Sequence, residues 1–258
     1  ALDGNIVLLT EEGHLYRIKD QGQDQIPYVK WQTDPQEDCL SAGLAPRSGV
    51  VLDETEDRTF AWVAGKNSLV RFSLLDGSCS QVDLPAGFEP TSNLLLDKDG
   101  TVVLGVGGNV LGDDLYQEIR ILKYSPELEL LNPETPNLSE SATSITGISQ
   151  GTGGHWLLGT SNKGILVVHD ESMTIQAGYF DEFTHVPPPI QGLGGQIFSS
   201  GLPHWIHVIS IDGDLVWRRA FDELDAESGL APSSPIIDDE GLIYFHLGNH
   251  IVSLDCNI

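Results

Sequence analysis

One pattern recurs along this chain and limits what it can fold into. Asp97-Lys98-Asp99-Gly100 leads into the apolar run 101–106, Asp238-Asp239-Glu240-Gly241 leads into 242–246, and Leu2-Asp3-Gly4 leads into 5–10. Each copy reads as a short strand, an acidic turn with glycine, a second strand, a further glycine turn and a third strand. Asp and Gly accept the dihedrals that join antiparallel neighbours. Self-similarity at a fixed period marks a repeat architecture rather than one irregular sheet. A second echo fixes the phase: Ser41-Ala42-Gly43-Leu44-Ala45-Pro46 precedes the strand ending at Asp53, and Ser228-Gly229-Leu230-Ala231-Pro232 precedes the strand ending at Asp238.

Strand signals dominate the rest of the chain. Short apolar or alternating runs bounded by Gly, Asp, Asn or Pro occur at 6–9, 50–52, 61–63, 94–96, 102–106, 165–169, 206–211 and 236–237. Only 220–226 has helix-like composition, and it is too short to stand alone. The first turns of the units fall near Asp3, Asp53, Asp97, Gly151, Gly194 and Asp238, which lie 43 to 54 residues apart. That is the length of a four-stranded propeller blade, about 40–50 residues. The expected fold is therefore all-β: a single β-propeller domain of about six blades of antiparallel strands, with units near 1–45, 46–89, 90–143, 144–187, 188–231 and 232–258. The last unit runs out after its third strand, so it reads as an incomplete blade. It is either three-stranded or completed from outside the chain, because an unpaired edge is a template for another strand.

Composition narrows the class of partner. Among 258 residues, 38 are acidic and 13 basic, a formal net charge of −25. Nucleic acid and anionic membrane surfaces need a positive footprint, so neither is an expected partner. No run approaches the roughly 18 apolar residues of a spanning helix, so no membrane insertion is expected. Residue 1 is Ala, which fits a processed or excised chain. Three cysteines, Cys39, Cys79 and Cys256, allow at most one internal disulfide, with the pairing open. Asn137-Leu138-Ser139 is a glycosylation triplet of the kind that is also common by chance.

The residues 235–245, followed by Gly248-Asn249-His250-Ile251-Val252-Ser253-Leu254-Asp255, resemble the repeat of PQQ-like (quinoprotein-type) β-propellers. Ser210-Ile211-Asp212-Gly213-Asp214-Leu215-Val216-Trp217 is similar to that family's junction, where an Asp/Gly turn leads to an outer-strand Trp, and Gly13 to Ile18 with Trp31 is a looser copy. An outer-strand Trp packs between neighbouring blades and needs an acceptor for its indole N–H. The resemblance covers about two thirds of the chain. A quinone dehydrogenase of this family implies a pocket Trp, a catalytic Asp, Glu and Asn ligands for calcium and often adjacent cysteines. No adjacent cysteines occur and no calcium set falls on matching positions, so no PQQ is expected and the resemblance is to a non-enzymatic branch.

No other motif carries chemistry well. The Asp97–Gly100 and Asp238–Glu240 segments lack the downstream ligands of a calcium loop and read as hairpin turns, although calcium stays open as a cofactor. His204 and His207 alternate on a strand and cannot readily share one zinc ion. His246 and His250 flank a hairpin turn and read as strand residues. Gly151 to Gly154 and Gly192 to Gly195 read as turns rather than phosphate cradles. Binding residues concentrate on loops over a rigid scaffold. Two loops stand out: the insertion 107–116 with Asn109, Asp113, Asp114 and Tyr116, and the crossing 181–189 with Phe183 and His185. The expected function is an extracytoplasmic interaction or structural scaffold module without catalytic activity, binding a protein partner or itself. The alternatives are a calcium-dependent, lactonase-like propeller hydrolase with a central-channel site, and a self-assembling subunit that uses the open final blade.

Overall fold

A computed structural model describes residues 5–10, 14–19, 27–33, 48–55, 58–108, 118–138, 144–161, 164–180, 187–192, 194–201, 205–220, 234–238, 242–247 and 250–255. These contain strands and turns and no helix. Sheet one holds β1 (Asn5–Leu9), β2 (Leu15–Lys19) and β3 (Tyr28–Gln32). Sheet two holds β4 (Val51–Glu54), β5 (Thr59–Ala64), β6 (Ser68–Ser73) and β7 (Cys79–Asp83). Sheet three holds β8 (Phe88–Leu96), β9 (Val102–Gly108) and β10 (Glu118–Tyr124). Sheet four holds β11 (Ile145–Gln150), β12 (His155–Thr160), β13 (Ile165–His169) and β14 (Ile175–Tyr179). Sheet five holds β15 (Ile190–Gln191), β16 (Ile197–Gly201), β17 (Trp205–Ile209) and β18 (Leu215–Ala220). Sheet six holds β19 (Ile236–Ile237), β20 (Leu242–Leu247) and β21 (His250–Asp255). Within every sheet, spatial order follows chain order, the pattern of a meander.

Two compact units divide the chain: Ala1–Leu104 with Leu122–Pro133, and Gly105–Ile121 with Glu134–Ile258. In the first, alternation along β6 turns Val70, Phe72 and Leu74 to one face. There they join Leu15, Ala61 and Val63, with Val7, Leu9 and Trp31 of sheet one packed against them. Each such side chain, fully buried, stabilises the fold by about 1.5–3 kcal/mol. The outer-strand tryptophan behaves as the repeat requires. Trp31 Nε1 donates to Leu74 O at 3.2 Å, and its ring covers Gly77, where an added Cβ would lie 3.1 Å from Cε3. The opposite face of sheet two meets β8 and its flanking turns. Asp53, 2% exposed, accepts from Arg58 Nε at 2.9 Å, and Gly100 lies on that pair. Arg71 stacks over Phe60 and donates to Pro126 O.

The second unit repeats the stacking with other residues. Leu157, Ile165 and Val167 of sheet four pack on Ile197 and Ile209 of sheet five. Phe198, Ile206 and Val208, on the other face of sheet five, pack with Trp217 on Ile243 and Phe245 of sheet six. Between sheets four and five no indole intervenes on the turn: an added Cβ at Gly213 would lie 2.7 Å from Gly178 O. The turn after the third strand is nevertheless constant in conformation. Gly77, Leu128, Met173 and Gly213 all take positive φ there, at 79°, 69°, 54° and 89°. Leu and Met in that region are strained by roughly 1–2 kcal/mol, and the closing hydrogen bonds, such as Met173 N to His169 O at 2.9 Å, hold them in place.

Sheet three departs from the four-strand expectation. Tyr124 and Leu130 form a single bridge, and the chain to residue 138 then runs irregularly beside β10. Asparagine side chains take the place of a fourth strand. Asn132 Oδ1 accepts from Lys123 N at 2.7 Å and Asn137 Oδ1 from Ile119 N at 3.0 Å, which satisfies two edge donors of β10. The helix-like segment 221–226 lies outside the described residues.

Candidate functional site

The acidic and glycine-rich turns spend their polar groups on themselves. Asp97 N donates to Thr101 O at 2.8 Å, Lys98 N to Asp97 Oδ1 at 2.7 Å, and Thr101 N to Asp99 Oδ1 at 2.9 Å. That last bond, above all, holds the Asp99 carboxyl below its ordinary value. Asp238 accepts from Leu242 N at 2.8 Å and from the Tyr244 hydroxyl at 2.9 Å. Gly151 N donates to His155 O and Gly192 N to Gln196 O, with positive φ at Gly153, Gly154 and Gly195. The Asp97–Gly100 and Gly151–Gly154 segments are hairpin turns, while residues 193 and 239–241 lie outside the described residues. Register places His246 opposite Ile251 and His250 opposite Leu247, so the two histidines are not paired across the hairpin. His207 is fully buried. Among the described residues no three His, Cys, Asp or Glu side chains gather as metal ligands.

Asn109, Asp113, Asp114 and Tyr116, between β9 and β10, lie outside the described residues, as do Phe183 and His185, between β14 and β15. The strands that launch these connections are described. Each connection leaves the same end of its sheet: the end of a second strand in sheet three, the end of a fourth strand in sheet four. At that end of sheets four and five stands a row of ring contacts that sequence reading missed. Tyr179 ends β14 and meets His207 at 5.6 Å between centroids. His207 stacks with Trp205 at 6.1 Å and an interplanar angle of 25°, and Arg218 lies 5.4 Å from the Trp205 ring. Alternation explains the row: residues 205 and 207 share one face of β17, and Arg218 is the register partner of His207 on β18. Phe180 is 58% exposed but turns to the other face of sheet four, toward Gly178 and Leu166, and is not part of the row. The signal in the sequence was the Trp-Ile-His alternation followed by a basic pair, Arg218-Arg219, in a chain poor in cations. His207 is buried, so what the row presents to solvent is the part-exposed rings of Tyr179 and Trp205 with the exposed Arg218 cation beside Trp205.

A quinone cofactor would need an indole face free above a pocket. Four of the five tryptophans are committed to packing between or within the sheets. Trp31 covers Gly77, and Trp62 and Trp156 are wholly buried, the latter donating to Asp170 Oδ1 at 2.9 Å. Trp217 packs toward sheet six, and Trp205 lies between His207 and Arg218.

No family model and no curated protein sequence matches the chain. Solved structures do resemble it. BamB from Moraxella catarrhalis matches at 8% identity with a TM-score of 0.62, over 97% of this chain and 66% of that one. PorZ of Porphyromonas gingivalis, described as an essential bacterial surface component of the type-IX secretion system, matches at 11% with a TM-score of 0.68, over 98% of this chain and 37% of that one. Quinohemoprotein alcohol dehydrogenase from Comamonas testosteroni matches at 15% with a TM-score of 0.65, over 98% and 51%. At such identities the likeness establishes the fold alone: this is a PQQ-like β-propeller fold, the architecture the repeat predicts. The chain spans about two thirds or less of the length of these three.

Proposed function

We propose that the chain is an extracytoplasmic propeller module that binds a protein partner through the ring row at sheets four and five, and that it is not an enzyme. The observation that carries this reading is the row of contacts from Tyr179 through His207 to Trp205, with Arg218 against the Trp205 ring. Aromatic residues and Arg are the side chains in which binding energy concentrates at protein interfaces. The adjoining crossing brings Phe183 and His185 as further contacts, and the 107–116 insertion contributes Asn109, Asp113, Asp114 and Tyr116 as a second contact loop. The partner's chemistry follows from the site: an apolar or aromatic segment with a carboxylate for Arg218. The likeness to PorZ, a surface component, supports an extracytoplasmic setting. So does Cys79, which is disulfide-bonded, because such bonds persist in oxidising compartments; Cys39 and Cys256 lie outside the described residues.

The test is a capture experiment with the extracytoplasmic fraction of the source cells, using wild type, Trp205→Ala and Arg218→Glu as bait. A protein retained by wild type and weakened about tenfold or more by either variant, with melting temperatures preserved, is the expected outcome. Equal capture by all three baits would remove the ring row from the interface.

A further inference from the structure

Cys79 is disulfide-bonded, and the chain has two other cysteines, Cys39 and Cys256. Sheet two fixes which way the Cys79 side chain faces. Cys79 opens β7 as the register partner of Phe72, so the two share one face of the sheet. That is the face on which sheet one packs: Cys79, Trp31, Val7 and Leu9 all lie against the cluster of Leu15, Ala61, Val63, Val70 and Phe72. Trp31, near the end of β3, covers Gly77, which precedes Cys79 by two residues. The last strand of sheet one therefore ends beside the start of the last strand of sheet two.

The chain leaves β3 from a fixed point. Thr33 is buried, its N donates to Leu15 O at 3.0 Å, and its hydroxyl accepts from Leu15 N at 3.0 Å. Cys39 follows six residues later and lies outside the described residues, so the length of its tether sets where it can bond. Six residues span at most about 22 Å. Two residues separate Trp31 from Thr33 and two separate Gly77 from Cys79, so the tether covers the gap. Cys256 is anchored elsewhere. It follows Asp255 at the end of β21, and β21 packs on the sheet-five cluster through Val252 and Leu254. Cys39 and Cys79 fall in one compact unit and Cys256 in the other.

We propose that Cys79 is bonded to Cys39, and that Cys256 is the thiol left over. The bond closes the loop from residue 39 to residue 79, which contains β4, β5 and β6. It fastens covalently the junction that the Trp31 indole fills by packing. Each of the two thiols gives up one proton and one electron as the S–S bond forms. The acceptor is the disulfide of an exchange catalyst, or oxidised glutathione in vitro, which leaves as two thiols.

The experiment is peptide mapping of wild-type chain refolded in a glutathione redox buffer. Free thiols are alkylated under denaturing, non-reducing conditions before digestion and mass spectrometry. The expected result is one linked pair carrying Cys39 and Cys79, with Cys256 alkylated. A link from Cys256 to either other cysteine, or three alkylated cysteines, would overturn the proposal. Denaturant titration with and without reductant gives a second readout. Opening a loop of this length should weaken the folding equilibrium by about a hundredfold. Cys39→Ser and Cys79→Ser should each show that loss and no longer respond to reductant, while Cys256→Ser should respond as wild type does. A Cys256→Ser chain indifferent to reductant would also count against the pairing. The mapping needs no variant, so it decides the matter even where a serine variant fails to fold. The capture experiment above reads a different surface and stands or falls separately.

Discussion

Trp31 and Gly178 stand in the last described strands of sheets one and four, and both meet the turn of the following sheet. Trp31 does so with an indole, which covers Gly77 and donates to Leu74 O at 3.2 Å. Gly178 does so with bare backbone, so close to Gly213 that an added Cβ there would be 2.7 Å from its carbonyl oxygen. The turn glycine and its positive φ are common to both junctions; the partner is not. A repeat of this kind conserves the conformation of the turn and lets the filling vary, provided the gap between sheets closes. A large side chain on a glycine and a glycine on a glycine are two closures at different separations. Neither partner can be swapped alone.

The largest effect should come from emptying the indole-filled junction. Trp31→Ala removes a ring from a packed contact and orphans an acceptor, and it should lower unfolding free energy by about 3–5 kcal/mol in a denaturant titration. A loss below about 1 kcal/mol would mean that the indole does not hold the two sheets. Next come the turn glycines, compared directly. Gly213→Ala sets a methyl against backbone that cannot move aside, and Gly77→Ala sets one against a ring that can tilt. Both carry the left-handed strain of roughly 1–2 kcal/mol, so Gly213→Ala should be the worse, by about 1 kcal/mol from the steric clash. Equal losses would show that dihedral strain alone decides. The smallest effect concerns acid. Hydrogen bonds from Ser78 and then Ser73 hold the Asp76 carboxyl below its ordinary value. A depressed carboxylate stabilises the fold above the unfolded value, near 3.9, and that contribution is lost as pH falls through the lower, folded value. Wild type should therefore lose stability over this acid window more steeply than Asp76→Asn, and identical acid profiles would remove Asp76 from the account.

In sheets two and five the runs 50–52, 61–63 and 206–211 read from the sequence fall on β4, β5 and β17. The alternation of Leu69, Arg71 and Ser73 against Val70, Phe72 and Leu74 is local information, and so is the Asp/Gly chemistry of the turns. The Trp31 contact was foreseen in kind, since an indole N–H on an outer strand must find an acceptor. What could not be read was whatever depends on two segments meeting. The Asn132 and Asn137 caps along β10 look like ordinary loop residues until the strand is beside them. Leu128 and Met173 carry no mark of positive φ. Tyr179 and Trp205 are 26 positions apart, and nothing local joins them into a row. The six loop residues singled out from sequence lie outside the described residues, so the site advanced here rests on the strands that flank them.

The meander order within every sheet bears on how such a chain reaches its fold. Each strand finds its partner in the segment made just before it, so the search for pairing is short and little loop entropy is lost before contacts form. A sheet can assemble as soon as its own stretch is free, and the next can use it as a template, as in other linear arrays. A chain with this wiring is suited to emerging gradually from a ribosome or a translocation pore: an interruption midway leaves finished sheets behind it rather than a set of strands waiting for distant mates.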